Sequence, residues 1–275
     1  MQTTVLASDF AVRIDGVDLS GPLDDSTFND IRRLWMAYKV AVIPGQQLDD
    51  DALLRFAGRF GRVFTHVQSG LHAPEHGQVM YMSSRAETGK VQGELAWHTD
   101  QSYTPKPVFG TILYGIEIPS DGGETCFADL AAAYRDLPDR LRPRVEGETA
   151  VYSAEKPGHK RRVLLTEAER EKIPDVVHPL VRTHPYLERK ALYLSPNHIK
   201  SIGQLPQAES DALLADLTAY ATDPARLYVH HWTPGDVIMW DNTSVMHRRN
   251  HFPPEQPRFH KRTGFYLPDA LAVPF

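Results

Sequence analysis

Leu227-Tyr228-Val229-His230-His231-Trp232-Thr233-Pro234-Gly235-Asp236-Val237-Ile238-Met239-Trp240 reads as two short apolar runs on either side of a tight turn. β-Branched and aromatic residues fill both runs, and Pro234-Gly235-Asp236 supplies the turn chemistry between them. The pattern predicts strands. Asp241-Asn242-Thr243-Ser244-Val245-Met246-His247 follows and sets a histidine just beyond the second strand. His230 and His231 are neighbours on one strand, so only one of them can face inward.

Outward from this stretch the same texture recurs. Val40-Ala41-Val42-Ile43 ends in Pro44-Gly45, and further runs lie at 79–82, 109–118, 122–127 and 262–267. Residues 178–182 and 190–194 read as a strand pair across the turn 184–188, and residues 5–20 as another. Helices are fewer. Asp24-Asp25-Ser26 caps one over 26–38, and Asp49-Asp50-Asp51 starts a second that stops near Gly61. Others are expected at 129–135, 137–145, 166–172 and from Pro206 through Tyr220. No repeat, low-complexity tract or linker divides the chain, so 1–275 reads as a single domain. The fold class is mainly β with flanking helices, a sandwich or jelly-roll barrel.

Composition narrows the function. The chain has 275 residues, 41% hydrophobic and 24% charged, with a net charge of -5. A clustered basic stripe of the kind that binds nucleic acid is missing, and His159-Lys160-Arg161-Arg162 reads as a solvated loop. One cysteine, Cys126, excludes an internal disulfide and any multi-cysteine metal site. It reads as buried packing. No signal-peptide pattern and no apolar run long enough for a membrane span are visible, so a cytoplasmic protein with no membrane partner is expected.

The chemistry gathers at Trp97-His98-Thr99-Asp100. On an extended strand His98 and Asp100 point to one face and can reach one ion together. His247, remote in sequence, can join them if a barrel makes their strands neighbours. Two imidazoles and a carboxylate on one side of a metal leave the other side open, as non-heme Fe(II) oxygenases require, though zinc accepts the same ligands. Arg258 and Arg262 lie an even number of residues apart and would face the same way on one strand. An inward guanidinium calls for an anion, and a carboxylate matches it with two hydrogen bonds.

These residues together resemble the signature of the taurine/2,4-dichlorophenoxyacetate dioxygenase family. Supporting phrases are Gly122-Gly123-Glu124-Thr125-Cys126-Phe127-Ala128-Asp129-Leu130, His178-Pro179-Leu180-Val181-Arg182-Thr183-His184, Ala191-Leu192-Tyr193-Leu194-Ser195 and Trp240-Asp241-Asn242. The resemblance spans about residues 10 to 267. It implies a double-stranded β-helix, or jelly roll, and a dioxygenase using Fe(II), 2-oxoglutarate and O2 to hydroxylate a small anionic molecule, releasing succinate and CO2. Sulfonates, sulfate esters, aryloxyalkanoates and amino-acid derivatives all fit. His98, Asp100 and His247 would hold iron. Arg258 and the Thr125 hydroxyl would take the distal carboxylate of 2-oxoglutarate. Arg262 would lie near its metal-bound end or meet an anionic group of the substrate. Asp100 argues against the related halogenases, which lack that carboxylate. Dimers or tetramers are common in the family.

His66, Glu94 and His198 are the further candidates for facing the substrate, whereas Trp97 and Tyr103 read as packing. Two rival readings remain at this level. One is a zinc-dependent hydrolase on the same ligands, and the other is a non-catalytic jelly roll that binds metal or 2-oxoglutarate. Neither needs both the intact triad and a dicarboxylate clamp.

Overall fold

The computed structural model describes residues 1–67, 69–85, 95–156 and 166–268. A seven-stranded sheet runs in the order β1 (Gln2–Ala7), β2 (Ala11–Asp15), β3 (Val40–Ile43), β14 (Val237–Asp241), β6 (Gly110–Glu117), β16 (Phe259–Phe265) and β4 (Met80–Ser83). A four-stranded sheet is ordered β13 (Leu227–His230), β7 (Thr125–Asp129), β15 (Val245–Arg249) and β5 (Leu95–His98). Strands 5, 6 and 7, and again 13, 14, 15 and 16, therefore alternate between the two sheets. This is the jelly-roll winding. The runs 227–232 and 237–240 are not a hairpin: their turn carries the chain from one sheet to the other.

Period-2 alternation explains how the layers stack. On β3 and β14, Val40, Val42, Ile238 and Trp240 face the smaller sheet and pack with Phe127 and Val245. Ala41, Ile43, Val237 and Met239 point the other way, onto α1 (Asp25–Tyr38) and α2 (Asp50–Gly58). Those helices begin where the aspartates predicted. Asp24 accepts from the Thr27 N–H and Asp49 from the Ala52 N–H, each satisfying an otherwise orphaned donor. Trp35 fills the interface, edge-on to Phe60, Phe109 and Phe265 at 5.3 to 5.5 Å.

The outer face of the smaller sheet is covered by α3 (Leu130–Arg135), α5 (Gln207–Ala221) and a three-stranded sheet, β12 (Ile199–Ile202), β8 (Thr149–Tyr152) and β9 (Val176–Pro179). The pair β10 (Val181–Thr183) and β11 (Lys190–Leu192) joins them, as does the short α4 (Glu167–Glu171). Residues 137–145 depart from expectation. Only a 3-10 turn at Arg142–Arg144 forms there, because Pro138 and Pro143 remove helix donors. Strands β8, β12 and β15 were not anticipated. No helix among the described residues is long and apolar enough to cross a membrane.

Asp241 ends β14 and shapes the crossing into β15. Its Oδ1 accepts from the Thr243 N–H at 2.8 Å and from the Thr243 hydroxyl at 2.6 Å. Burial opposes its ionisation, but His184, Thr243 and Arg189 outweigh it and bring its pKa down to about 2 from 3.8. A depressed carboxylate contributes stability that is present above pH 3.8 and lost as pH falls toward about 2. Asp241→Asn should remove about 2 kcal/mol at neutral pH and flatten the acid limb of a Tm-against-pH curve below pH 4. An unchanged acid limb would contradict this role.

Candidate active site

His98 closes β5, and the antiparallel register sets it directly opposite His247 on β15. Cross-strand pairing thus delivers two imidazoles to one place, their ring centroids 4.2 Å apart. Asp100 arrives differently from the sequence expectation: β5 stops at His98, and Thr99 leads Asp100 into a turn where Gln101 has a positive φ of 53°. The carboxylate still converges. Its Oδ1 lies 3.5 Å from His98 Nε2 and 3.7 Å from His247 Nε2. All three residues are buried, with ligand-capable atoms within 4.8 Å of one another.

The donor chemistry suits a cation. His98 Nδ1 lies 2.9 Å from the Ala96 carbonyl, which acts as acceptor for an Nδ1 proton and leaves the Nε2 lone pair toward the cluster. Burial, then His98, push His247 well below its ordinary pKa. Burial would raise Asp100, yet Arg262 and the two histidines hold it well below the usual carboxylate range. A His247 ring that resists protonation and an Asp100 carboxyl held ionised are the result. Arg262 Nη2 also reaches Asp100 Oδ1, at 2.6 Å.

A cavity between the sheets opens beside this cluster. His98, His247, Thr125, Arg249, Arg258 and Arg262 line it, with Met82, Leu95, Leu113 and Trp240 as its apolar wall. Arg258 immediately precedes β16 and is 3% exposed. Burial and the neighbouring Arg249 push its pKa well down, and no carboxylate among the described residues pairs with it. A buried guanidinium so placed calls for an anion. Thr125, at the start of β7, accepts from the Trp232 indole at 3.0 Å, so its own hydroxyl proton remains to be donated.

The sequence-predicted residues therefore divide. His98, Asp100, His247, Thr125, Arg258 and Arg262 meet at one cavity. His198 is not among the described residues lining that cavity, though its ring is 6.3 Å from that of His98. Its Nδ1 is within 3.0 Å of the Ser102 hydroxyl and 2.9 Å of the Ser195 hydroxyl, while Ser195 Oγ accepts from the Thr99 N–H at 3.0 Å. That set bolts down the segment bearing His98 and Asp100. His66 is buried edge-on to Phe64, outside the cavity lining. Glu94 lies outside the described residues. Cys126 is buried, and of the histidine pair His230 is inward and His231 exposed.

Sequence reasoning assigned no role to Arg249, Trp232 or His260. Arg249 shares the inward face of β15 with His247, a period-2 relation that could have been read. His260 lies between Arg258 and Arg262, is fully buried, and sits edge-on to Trp232 at 4.5 Å. Only the tertiary fold reveals that contact.

A jelly roll with two histidines, an aspartate and an inward arginine at one cavity has the architecture of an Fe(II)- and 2-oxoglutarate-dependent dioxygenase. Comparison with known proteins agrees. The profile of the family described as taurine catabolism dioxygenase TauD, TfdA family matches residues 2–263, and the chain belongs to that family. It is 34% identical over 251 residues to the (S)-phenoxypropionate/alpha-ketoglutarate-dioxygenase of Sphingobium herbicidovorans, covering 88% of this chain and 87% of that one. It is 33% identical to the alpha-ketoglutarate-dependent 2,4-dichlorophenoxyacetate dioxygenase of a Burkholderia strain, with coverage of 87% and 85%. The crystal structure of AAD-2 in complex with Mn(II) and N-oxalylglycine superposes with a TM-score of 0.83 at 30% identity, covering 98% of both chains. The protein is an oxidoreductase whose cofactors are Fe(II), 2-oxoglutarate and O2.

Proposed function

We propose that His98, Asp100 and His247 hold the iron, that Arg258 and Thr125 hold the distal carboxylate of 2-oxoglutarate, and that the enzyme hydroxylates a small organic anion of the aryloxyalkanoate type. The observation that carries this reading is the buried His-Asp-His cluster sharing a cavity with an Arg258 that has no acidic partner among the described residues. When bound, the iron and the keto acid supply the oxidant: one oxygen atom of O2 enters succinate as CO2 leaves, and the other enters a substrate C–H bond.

The chain's own residues bind, orient and shield. Arg258 offers a planar fork to a carboxylate, and Thr125 adds one O–H donor. Arg262, at the metal end of the cavity, can serve the near end of the co-substrate or the anionic group of the substrate. Met82, Leu95, Leu113 and Trp240 keep the cavity wall apolar, which strengthens each of these contacts. Hydroxylation at a carbon next to an ether oxygen collapses to a phenol and a carbonyl compound, so an aryloxyalkanoate would be cleaved. The relatives named for phenoxypropionate and 2,4-dichlorophenoxyacetate support this class. We read 1–275 as one dioxygenase domain, working in the cytoplasm as a dimer or tetramer.

Succinate release measured across aryloxyalkanoates, alkyl sulfates, sulfonates and amino-acid derivatives tests the proposal. An aryloxyalkanoate should stimulate succinate formation with equimolar phenol, and its neutral amide should not. Equal turnover of acid and amide would contradict an anionic substrate.

A further inference from the structure

Three side chains tie Asp100 to the larger sheet. The Thr111 hydroxyl donates to Asp100 Oδ2 at 2.7 Å. Asn242 Nδ2 donates to Thr111 Oγ1 at 2.9 Å, and Trp240 Nε1 donates to Asn242 Oδ1 at 3.1 Å. Thr111 and Trp240 are direct partners in the β6–β14 register. None of the four residues is more than 2% exposed.

The ends of this chain set its direction. An indole N–H can only donate, and an ionised carboxylate can only accept. Asn242 must therefore turn its oxygen to Trp240 and its NH2 to Thr111. The Thr111 oxygen takes that N–H, so its single proton goes to Asp100. Reversing any link would face two donors or two acceptors and leave a buried group unsatisfied. Meanwhile Asp100 Oδ1 is the oxygen that faces His98, His247 and Arg262. The two carboxylate oxygens have separate tasks.

We propose that Trp240, Asn242 and Thr111 form a one-way positioning relay that locks Asp100 Oδ2 and offers Oδ1 alone to the metal. It rests on the assignment of His98, Asp100 and His247 as ligands. A carboxylate free to rotate could chelate through both oxygens and occupy a position the co-substrate needs. Trp240 also packs on His247, with centroids 4.6 Å apart, so one residue steadies the third ligand while its N–H orients the second. These are positioning residues, acting through Asp100.

Anaerobic Co(II) titration of the full chain tests the relay, with affinity and the visible ligand-field absorption of bound Co(II) as readouts. Thr111→Val should weaken Co(II) binding about 10- to 100-fold, the usual range for a lost outer-shell partner, and change the absorption as the carboxylate reorients. Thr111→Ser, which keeps the O–H, should restore both. Trp240→Phe keeps a ring against His247 but removes the N–H that fixes Asn242. It should shift the absorption in the same direction as Thr111→Val. Folded Thr111→Val with wild-type affinity and absorption would overturn the relay, as would Thr111→Ser as impaired as Thr111→Val. If Thr111→Val fails to fold, wild-type absorption in Trp240→Phe overturns it instead. His98→Ala separates the two claims: Co(II) binding unaffected by that change would sink the ligand assignment, whatever Thr111 does.

Discussion

His98→Ala should reduce iron-dependent succinate formation to the iron-free background, and Asp100→Ala should do the same. Losing even an outer-shell partner typically lowers metal affinity or activity about 10- to 100-fold, so losing a direct ligand must exceed that. The expectation is strong here because the cluster has little redundancy. No other group of three histidine, cysteine or acidic residues among the described residues could hold a metal. His98 and His247 face each other across one strand pair, so either removal leaves a single imidazole and Asp100. Added imidazole should not rescue a missing ring, because both rings are buried and packed, His247 against Trp240 and Phe127. Oxygen uptake and succinate, measured with Fe(II) in excess, check the prediction. Full activity in either variant would remove the residue from the metal site.

Arg258→Met should have two opposite effects, and their combination identifies its role. Without 2-oxoglutarate the protein should be as stable as wild type or more so. The wild-type guanidinium is buried, with burial and Arg249 both opposing its charge, and replacing such a group by an apolar one of similar length is often neutral or stabilising. With 2-oxoglutarate the ranking should reverse. Truncating one partner of a buried charge pair costs about 2–5 kcal/mol, on the order of thirty-fold to a few thousand-fold in affinity. The apparent KM for 2-oxoglutarate should rise by that factor, while Fe(II) affinity changes far less. The 2-oxoglutarate-induced rise in Tm should vanish with it. A variant that instead loses iron, or melts much lower without ligand, would make Arg258 a structural residue.

The fold was legible wherever local chemistry agrees with the tertiary answer. Asp24 and Asp49 are caps whose effect is confined to one helical turn, and Val40–Ile43 is apolar on both faces because both are covered. The same logic brought His98 and His247 forward, since short strands must close on one another. Legibility failed where long-range packing decides. Val245–Arg249 carries two arginines and looks unlike a buried strand, yet Arg249 turns into the cavity and Arg248 packs over the Trp97 ring. Thr149–Tyr152 and Ile199–Ile202 are short runs in charged surroundings, ordered by pairing with each other. The sequence puts Asp100 on a strand with His98, but the chain turns first and brings the carboxylate to the two imidazoles by another path.

The convergence of His98, Asp100, His247, Thr125, Arg258 and Arg262 was the legible part of the candidate site. Histidine, aspartate and inward arginine announce themselves by type and spacing. The groups that hold them do not: Thr111 and Asn242 are 131 residues apart, and Trp232 and Thr125 are 107 apart. Threonine, asparagine and tryptophan have many uses, so nothing in their spacing marks them. His198 shows the converse. The sequence offers it as a substrate contact; in the structure its Nδ1 lies between the Ser102 and Ser195 hydroxyls, and it is not among the described residues lining the cavity.

Visible absorption of the anaerobic protein, recorded as Fe(II) and 2-oxoglutarate are added in turn, tests the central claim most directly. The account predicts a new visible band only when both are present, lost in Asp100→Ala and recovered in Arg258→Met at higher 2-oxoglutarate. No new absorption in the wild-type protein, or a band unchanged in Asp100→Ala, would contradict it.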